Sequence, residues 1–242
     1  MKRVIKQLIP PLFLDFFSKI KYTKSPSIHL HKNMDQVFTD IYTKNSWGNN
    51  ESVSGVGSTI TQTKKIIPEL EKCFQRLHIQ SLLDIPCGDF NWMQHVNLTD
   101  INYTGADIVQ ELVTANVAKY SSSTKKFVTL DLASDNLPQT DLLLVRDAWV
   151  HFSYDAIFKS IHNIVNSKSE YLMVTTFTNH LINYDIVTGD WRPLNLEKAP
   201  FHFPSPLFTI PEHYDPQYKR EAKGKSLGIW KIDDLKNLKC IG

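Results

Sequence analysis

The sequence predicts an α/β fold: a Rossmann-like, doubly wound and mostly parallel seven-stranded sheet with an N-terminal helical lid and a late insertion. Two observations predict the sheet. From residue 81 onward, short apolar runs alternate with amphipathic stretches, the pattern of strand–helix–strand units. One of these runs, Thr140–Arg146 (TDLLLVR), is apolar without interruption, as a strand buried on both faces of a parallel sheet must be.

The elements follow in order. Met34, Val37, Phe38 and Ile41 recur at helical spacing, so a helix is expected over 34–42, followed by the polar Gly/Ser-rich loop 47–59 (WGNNESVSGVGST). Ile66, Ile67, Leu70, Cys73, Phe74 and Leu77 extend a helix to about residue 77, with Pro68 marking a kink or a first turn. Strands are then expected at Ser81–Ile85, Tyr103–Asp107, Lys126–Leu130, Thr140–Arg146 and Tyr171–Phe177, with helices through Leu112 and Val117 and over Tyr154–Asn166. Leu207–Ile210 and Ser226–Ile232 supply a closing antiparallel pair. This divides the chain into a basic amphipathic segment (1–25) and one domain (26–242). The domain comprises lid and leading helix (26–78), cofactor-binding core (79–178), substrate insertion (179–206) and closing strands (207–242).

Bulk composition is that of a globular chain: 242 residues, 42% hydrophobic, 21% charged and a net charge of +2, too mild a balance to demand nucleic acid as partner. Three widely spaced cysteines, Cys73, Cys87 and Cys240, form no disulfide or zinc pattern, and a reducing cytoplasm suits them. At the N-terminus Lys2, Arg3, Lys6, Lys19, Lys21 and Lys24 stand against a single acid, Asp15, around an apolar stretch broken by Pro10-Pro11. That stretch is too short to span a bilayer and lacks a small-residue cleavage site. It reads either as a helix packed on its own domain or as an amphipathic segment lying at the inner face of an anionic membrane.

In an open parallel sheet, ligands sit beyond the carboxyl ends of the strands. The first such loop, DIPCGD (Asp84–Asp89), carries one glycine where a dinucleotide turn carries three. A diphosphate needs close backbone approach, and an acid at Asp84 would repel it. A nucleoside cofactor bearing an ammonium group and a sulfonium needs only Gly88 and is favoured by Asp84. Asp107 stands 19 residues past Gly88, near the interval of about 20 for an acid on ribose hydroxyls; capping the following helix is its other reading.

DIPCGD, then YTGAD, TLDLAS and LLLVRDAWVHFS, together resemble the class I S-adenosylmethionine-dependent methyltransferases over residues 79–178. The resemblance implies S-adenosylmethionine as cofactor. It places the methionine part on Asp84, Pro86 and Gly88, the ribose on Asp107 beside Ile108, the adenine between Asp131 and Leu132, and Arg146 facing the cofactor. Pro86-Cys87 departs from the family, which more often shows glycine and small residues there. The wider pattern IY…WG…ESVSGVGS, RDAWVHFS and GDWRPLNLEKAPFHFP resembles polysaccharide-associated sugar O-methyltransferases. It implies that Trp47 and the loop bearing Ser54, Gly55 and Ser58 fold over the cofactor.

His151 is the expected general base, since it follows the fourth strand and titrates near neutrality. Asp147, four residues earlier, would share a helical face with it and orient the imidazole or help bind the sugar. Asp89, Trp92, His180, Trp191, Arg192 and Asn195 are assigned to the carbohydrate acceptor, a glycan or glycolipid precursor. Asp147 with Asp131 or Asp135 and Asn136 imitates a magnesium set, but the spacing fixes no geometry and no metal is assigned. The alternatives are a methyltransferase for a small-molecule or protein acceptor, a nicotinamide-dependent oxidoreductase, which the missing glycines oppose, and a non-catalytic methyltransferase-like scaffold.

Overall fold

The computed structural model of the chain describes residues 28–212 and 223–238. The basic segment 1–25, His213 and Cys240 lie outside them.

Helix α1 (Met34–Thr43) starts at a capping box, in which Asn33 accepts from Gln36 N at 2.8 Å and the Gln36 side chain accepts from Asn33 N. It buries Val37 and Ile41. The helix expected up to residue 77 is split into α2 (Ile60–Thr63) and α3 (Ile66–Arg76). Pro68 causes the split. It has no N–H to give the Lys64 carbonyl, and its ring would clash with that carbonyl, so it sits in the first turn of a new helix. Helices α4 (Gln110–Tyr120) and α5 (Tyr154–Asn166) follow, the second capped by Ser153, which accepts from Ala156 N.

The strands are β1 (Ser81–Asp84), β2 (Asn102–Asp107), β3 (Lys125–Thr129), β4 (Leu142–Val145), β5 (Tyr171–Phe177), β6 (Phe208–Pro211) and β7 (Lys225–Lys231). They form one sheet in the order β3-β2-β1-β4-β5-β7-β6. The first five are parallel, and β7 inserts antiparallel between β5 and β6. Alternation along β4 shows how the sheet is clad. Leu142 and Leu144 pack with Ile66, Leu70 and Phe74 of α3 on one face, while Leu143 and Val145 pack with Ile157, Ile161 and Ile164 of α5 on the other.

The insertion 179–206 reads as polar, but it is part of the second face. Leu194, Leu196, Phe201 and Phe203 are buried there with Trp149 and Trp230. Arg192 is wholly buried and donates to the carbonyls of Tyr184 (3.0 Å), Trp149 (2.7 Å) and Phe152 (2.6 Å). Replacing it with methionine keeps an unbranched stem but leaves three buried carbonyls short of a donor. We expect Arg192→Met to cost about 3–5 kcal/mol, read as a lowered urea midpoint and Tm.

Candidate active site

Beyond the carboxyl ends of β1, β2, β4 and β5 lies a cavity of about 560 Å³, at the point between β1 and β4 where the strand order reverses. Its size is that of a small-molecule site. The loop after β1 forms one wall. It enters through a cis Ile85-Pro86 bond and is tied to the end of β2 by Cys87 N to Ala106 O (2.7 Å) and Gly88 N to Asp107 Oδ2 (3.1 Å). Gly88 has φ +56, and a Cβ there would lie 2.2 Å from Ser54 Oγ, so both conformation and space demand glycine.

Ser54 belongs to the roof. Asp89 Oδ2 accepts from Val53 N (3.0 Å), and Oδ1 accepts from Ser52 Oγ (3.0 Å) and Ser54 Oγ (3.2 Å). Glu51 and Asn91 add bonds to Ile60 N and the Ser58 carbonyl. Asp89, assigned above to substrate, is therefore a latch for the lid: it is not among the cavity-lining residues, and both its oxygens are engaged. Trp47, Ser54, Gly55 and Ser58 of the lid do line the cavity.

Two buried acids face it from the strand ends. Asp84 is 3% exposed and accepts from Tyr103 OH at 2.8 Å; burial raises its pKa to about 7 against the pull of that bond and of Arg146. Asp107 takes one backbone N–H on each oxygen, Val109 N on Oδ1 and Gly88 N on Oδ2, both at 3.1 Å. It thus ties the start of α4 to the first loop, and the Ile108 N–H adds to the stabilisation of its charge. Burial raises its pKa to about 6, with the backbone N–H bonds opposing. Pro86 and Ile108 line the same end. So do Leu132 and Asp131, whose carboxylate also closes the turn to Ala133 N and Ser134 Oγ.

At the other end, Arg146, Asp147, Lys225 and Glu212 form a ring of charge. Arg146 donates to Glu212 (2.6 Å from Nη2) and to the Gly57 carbonyl of the lid (2.9 Å), with its guanidinium 5.0 Å from the Trp92 ring. Arg146 and Trp92 both border the cavity, but these donors of Arg146 are engaged within the protein. Asp147 and His151 do not share an α-helical turn. Asp147 is left-handed (φ +56) and only 149–151 make a short 3-10 turn, so the Asp147 carboxylate goes to Lys225 Nζ (2.6 Å) rather than to the imidazole.

The insertion orients His151 instead. His151 Nδ1 lies 2.9 Å from the Asp190 carbonyl, and the flanking backbone pairs through Gly189 N to His151 O and Arg192 N to Val150 O. A carbonyl oxygen only accepts, so Nδ1 carries the proton and Nε2 keeps its lone pair. Burial lowers the His151 pKa to about 4, although the Asp190 bond and the Asp147 charge oppose this. The Trp47 ring packs 5.1 Å from the imidazole. Trp191 lines the cavity and meets Phe177 edge-on. His180, packed edge-on against Phe177, and Asn195, which donates to the His180 carbonyl, are not in the lining, nor is Arg192. Among the described residues no cluster of three or more His, Cys, Asp or Glu is arranged to hold a metal ion, and no helix is long and apolar enough to cross a membrane.

The chain superposes on the methyltransferase domain of bacterial CtHen1-CN over 70% of its own length and 99% of that domain, with a TM-score of 0.51 and 9% identity. It superposes on human N-acetylserotonin methyltransferase in complex with SAM over 82% of this chain and 59% of that one, with a TM-score of 0.51 and 14% identity. The fold is that of the methyltransferases. A third similar structure, the PH0226 protein of Pyrococcus horikoshii OT3, matches at a TM-score of 0.41 and 16% identity over 48% of this chain, which spans 56% of that protein. No protein-family model and no curated protein matches the chain.

Within this methyltransferase fold, sequence reasoning missed Lys225, Glu212 and Phe177. Lys225 and Glu212 belong to the charge ring, and Lys225 and Phe177 line the cavity. Lys225 and Asp147 are 78 residues apart, and no local spacing joins them. The one signal is a lysine, Lys225, opening a strand with an apolar centre, KSLGIWK.

Proposed function

We propose that the chain is an S-adenosylmethionine-dependent O-methyltransferase acting on a sugar hydroxyl in glycan synthesis, with His151 as general base. One observation carries this reading: a single cavity of the methyltransferase fold holds the buried Asp107 at one end and a neutral imidazole with an unprotonated Nε2 at the other. The residues fit the cofactor. Asp107 offers a buried carboxylate that borders the cavity to the ribose hydroxyls, and Asp84 offers one to an ammonium group. When bound, S-adenosylmethionine supplies an electrophilic methyl group on a sulfonium.

This chain's part is alignment and proton removal. Alignment of the acceptor oxygen lowers the barrier by about 7–11 kcal/mol at best, and a general base contributes typically ~10²–10⁴-fold. His151 Nε2 takes the hydroxyl proton, and the Asp190 carbonyl accepts from Nδ1–H throughout, so the ring keeps its tautomer and orientation. Asp89 and Arg146 hold the roof over the cavity. Trp47 and Trp191 offer rings to the apolar face of a sugar. Residues 1–24, with six bases against one acid, bring the protein to an anionic membrane surface where glycolipid precursors are assembled.

The test is incubation with labelled S-adenosylmethionine and a panel of methyl glycosides, with and without a chelator. Label transferred to a hydroxyl supports the reading. Binding of NAD without binding of S-adenosylmethionine, or transfer only to an amine, sinks it.

A further inference from the structure

We propose that Asp147 is a specificity residue that accepts a hydrogen bond from a second hydroxyl, vicinal to the one methylated, so that the acceptor is a vicinal diol. This rests on the hydroxyl-methylation reading above and deepens it.

Asp147 differs from its three partners in the charge ring. The side chains of Arg146, Glu212 and Lys225 are 4%, 3% and 5% exposed, whereas that of Asp147 is 28% exposed and borders the same cavity as His151. Its two oxygens are used unequally. Oδ2 takes Lys225 Nζ at 2.6 Å and lies 3.5 Å from Arg146 Nη1. Among the described residues, Oδ1 has only a long 3.5 Å contact with Thr175 Oγ1. The backbone is strained to produce this placement: Asp147 is a non-glycine residue at φ +56, fixed by its N–H to Thr175 Oγ1 at 2.9 Å. The roof accommodates it because residue 57 is glycine; a Cβ there would lie 2.9 Å from Asp147 Oδ2.

Charge balance selects the kind of donor. The ring holds two cations and two carboxylates and is neutral as a whole. An ammonium donor placed against this ring would lose its hydration and meet no net negative charge from the ring in return. A neutral hydroxyl loses far less and gains a charge-assisted bond to Oδ1. An ionised carboxylate accepts only, so its partner must be a neutral donor and not an ether or a carbonyl, and on the hydroxyl-methylation reading that donor is an O–H of the same acceptor. Asp147 and His151 line the same cavity and each feels the other's charge, so the two acceptors suit adjacent hydroxyls, one deprotonated for transfer and one held.

The experiment compares methyl α-D-mannopyranoside and methyl α-D-glucopyranoside with their monodeoxy counterparts as acceptors, for the wild type and Asp147→Asn. We expect loss of the neighbouring hydroxyl to lower wild-type kcat/KM on the order of 10–100-fold, and D147N to reduce that ratio to within about threefold. A residue with a purely structural role would lower both acceptors alike and leave the ratio in place. S-adenosylhomocysteine binding by calorimetry reports whether D147N is folded; should it not fold, Asp147→Glu, which keeps the charge and displaces the oxygens by one methylene, takes its place, and an unchanged ratio in that folded variant overturns the assignment to Asp147. Methylation with no discrimination between diol and deoxy acceptor overturns this inference and spares the proposed reaction. Absence of methylation on every glycoside overturns both.

Discussion

Asp107→Ala raises the Kd for S-adenosylmethionine on the order of 10²–10³-fold. The carboxylate borders the cavity, and hydrogen bonds to a charged acceptor contribute about 1.5–3 kcal/mol each. The same group anchors Gly88 N and Val109 N, so alanine also loosens the wall that carries the first loop. The pH dependence separates the two effects. Burial raises the Asp107 pKa to about 6 in the ligand-free protein, so near pH 6 about half the molecules hold a proton there. A ligand that donates to the carboxylate favours its ionised form. Affinity therefore rises with pH through about 6, and binding near that pH releases a proton. Asp84, raised to about 7 by burial, acts in the same direction a unit higher. Calorimetry in two buffers of different ionisation enthalpy reads the release, and Asp107→Ala removes the part centred near pH 6. Unchanged affinity in the variant removes the ribose assignment.

The sheet was legible because a parallel strand buried on both faces must be apolar along its whole length, and LLLV at 142–145 is fully buried. The loops were legible only in part. Spacing after Gly88 marks Asp107, because fold geometry fixes where the second strand ends relative to the first turn. Nothing in a sequence says whether a loop charge is consumed by its own protein. Asp89 and Arg192 look like sugar ligands, yet one is spent on the lid and the other on three backbone carbonyls. The insertion misleads for a related reason. Leu194 with Leu196, and Phe201 with Phe203, alternate only as isolated pairs, too short to mark a strand, so no sustained periodic pattern reveals that the segment is cladding. The helix break at residues 64–65 was readable in principle, since Pro68 denies a donor to the carbonyl four residues back.

His151→Gln lowers kcat on the order of 10²–10⁴-fold while leaving the Kd for S-adenosylmethionine within about twofold. Glutamine can still donate to the Asp190 carbonyl but has no basic nitrogen, so the cavity keeps its shape and loses its proton acceptor. The pH profile carries the argument further. Burial lowers the His151 pKa from the ordinary 6.5 to about 4, so the wild-type acid limb of kcat should fall near pH 4, with a flat region from about pH 5 to 8. Stability follows the same residue with a definite sign. The folded chain binds fewer protons than the unfolded chain between about pH 4 and 6.5, so this histidine's contribution is present above 6.5 and is lost as pH falls toward 4. His151→Gln removes that part of the slope, read from urea midpoints at pH 5 and 7. An acid limb near 6.5 in the wild type would mean a solvated imidazole, and with it a roof that does not cover His151 during turnover. Full activity in the variant would move the proton to another acceptor and leave the Asp190–His151 bond a structural one.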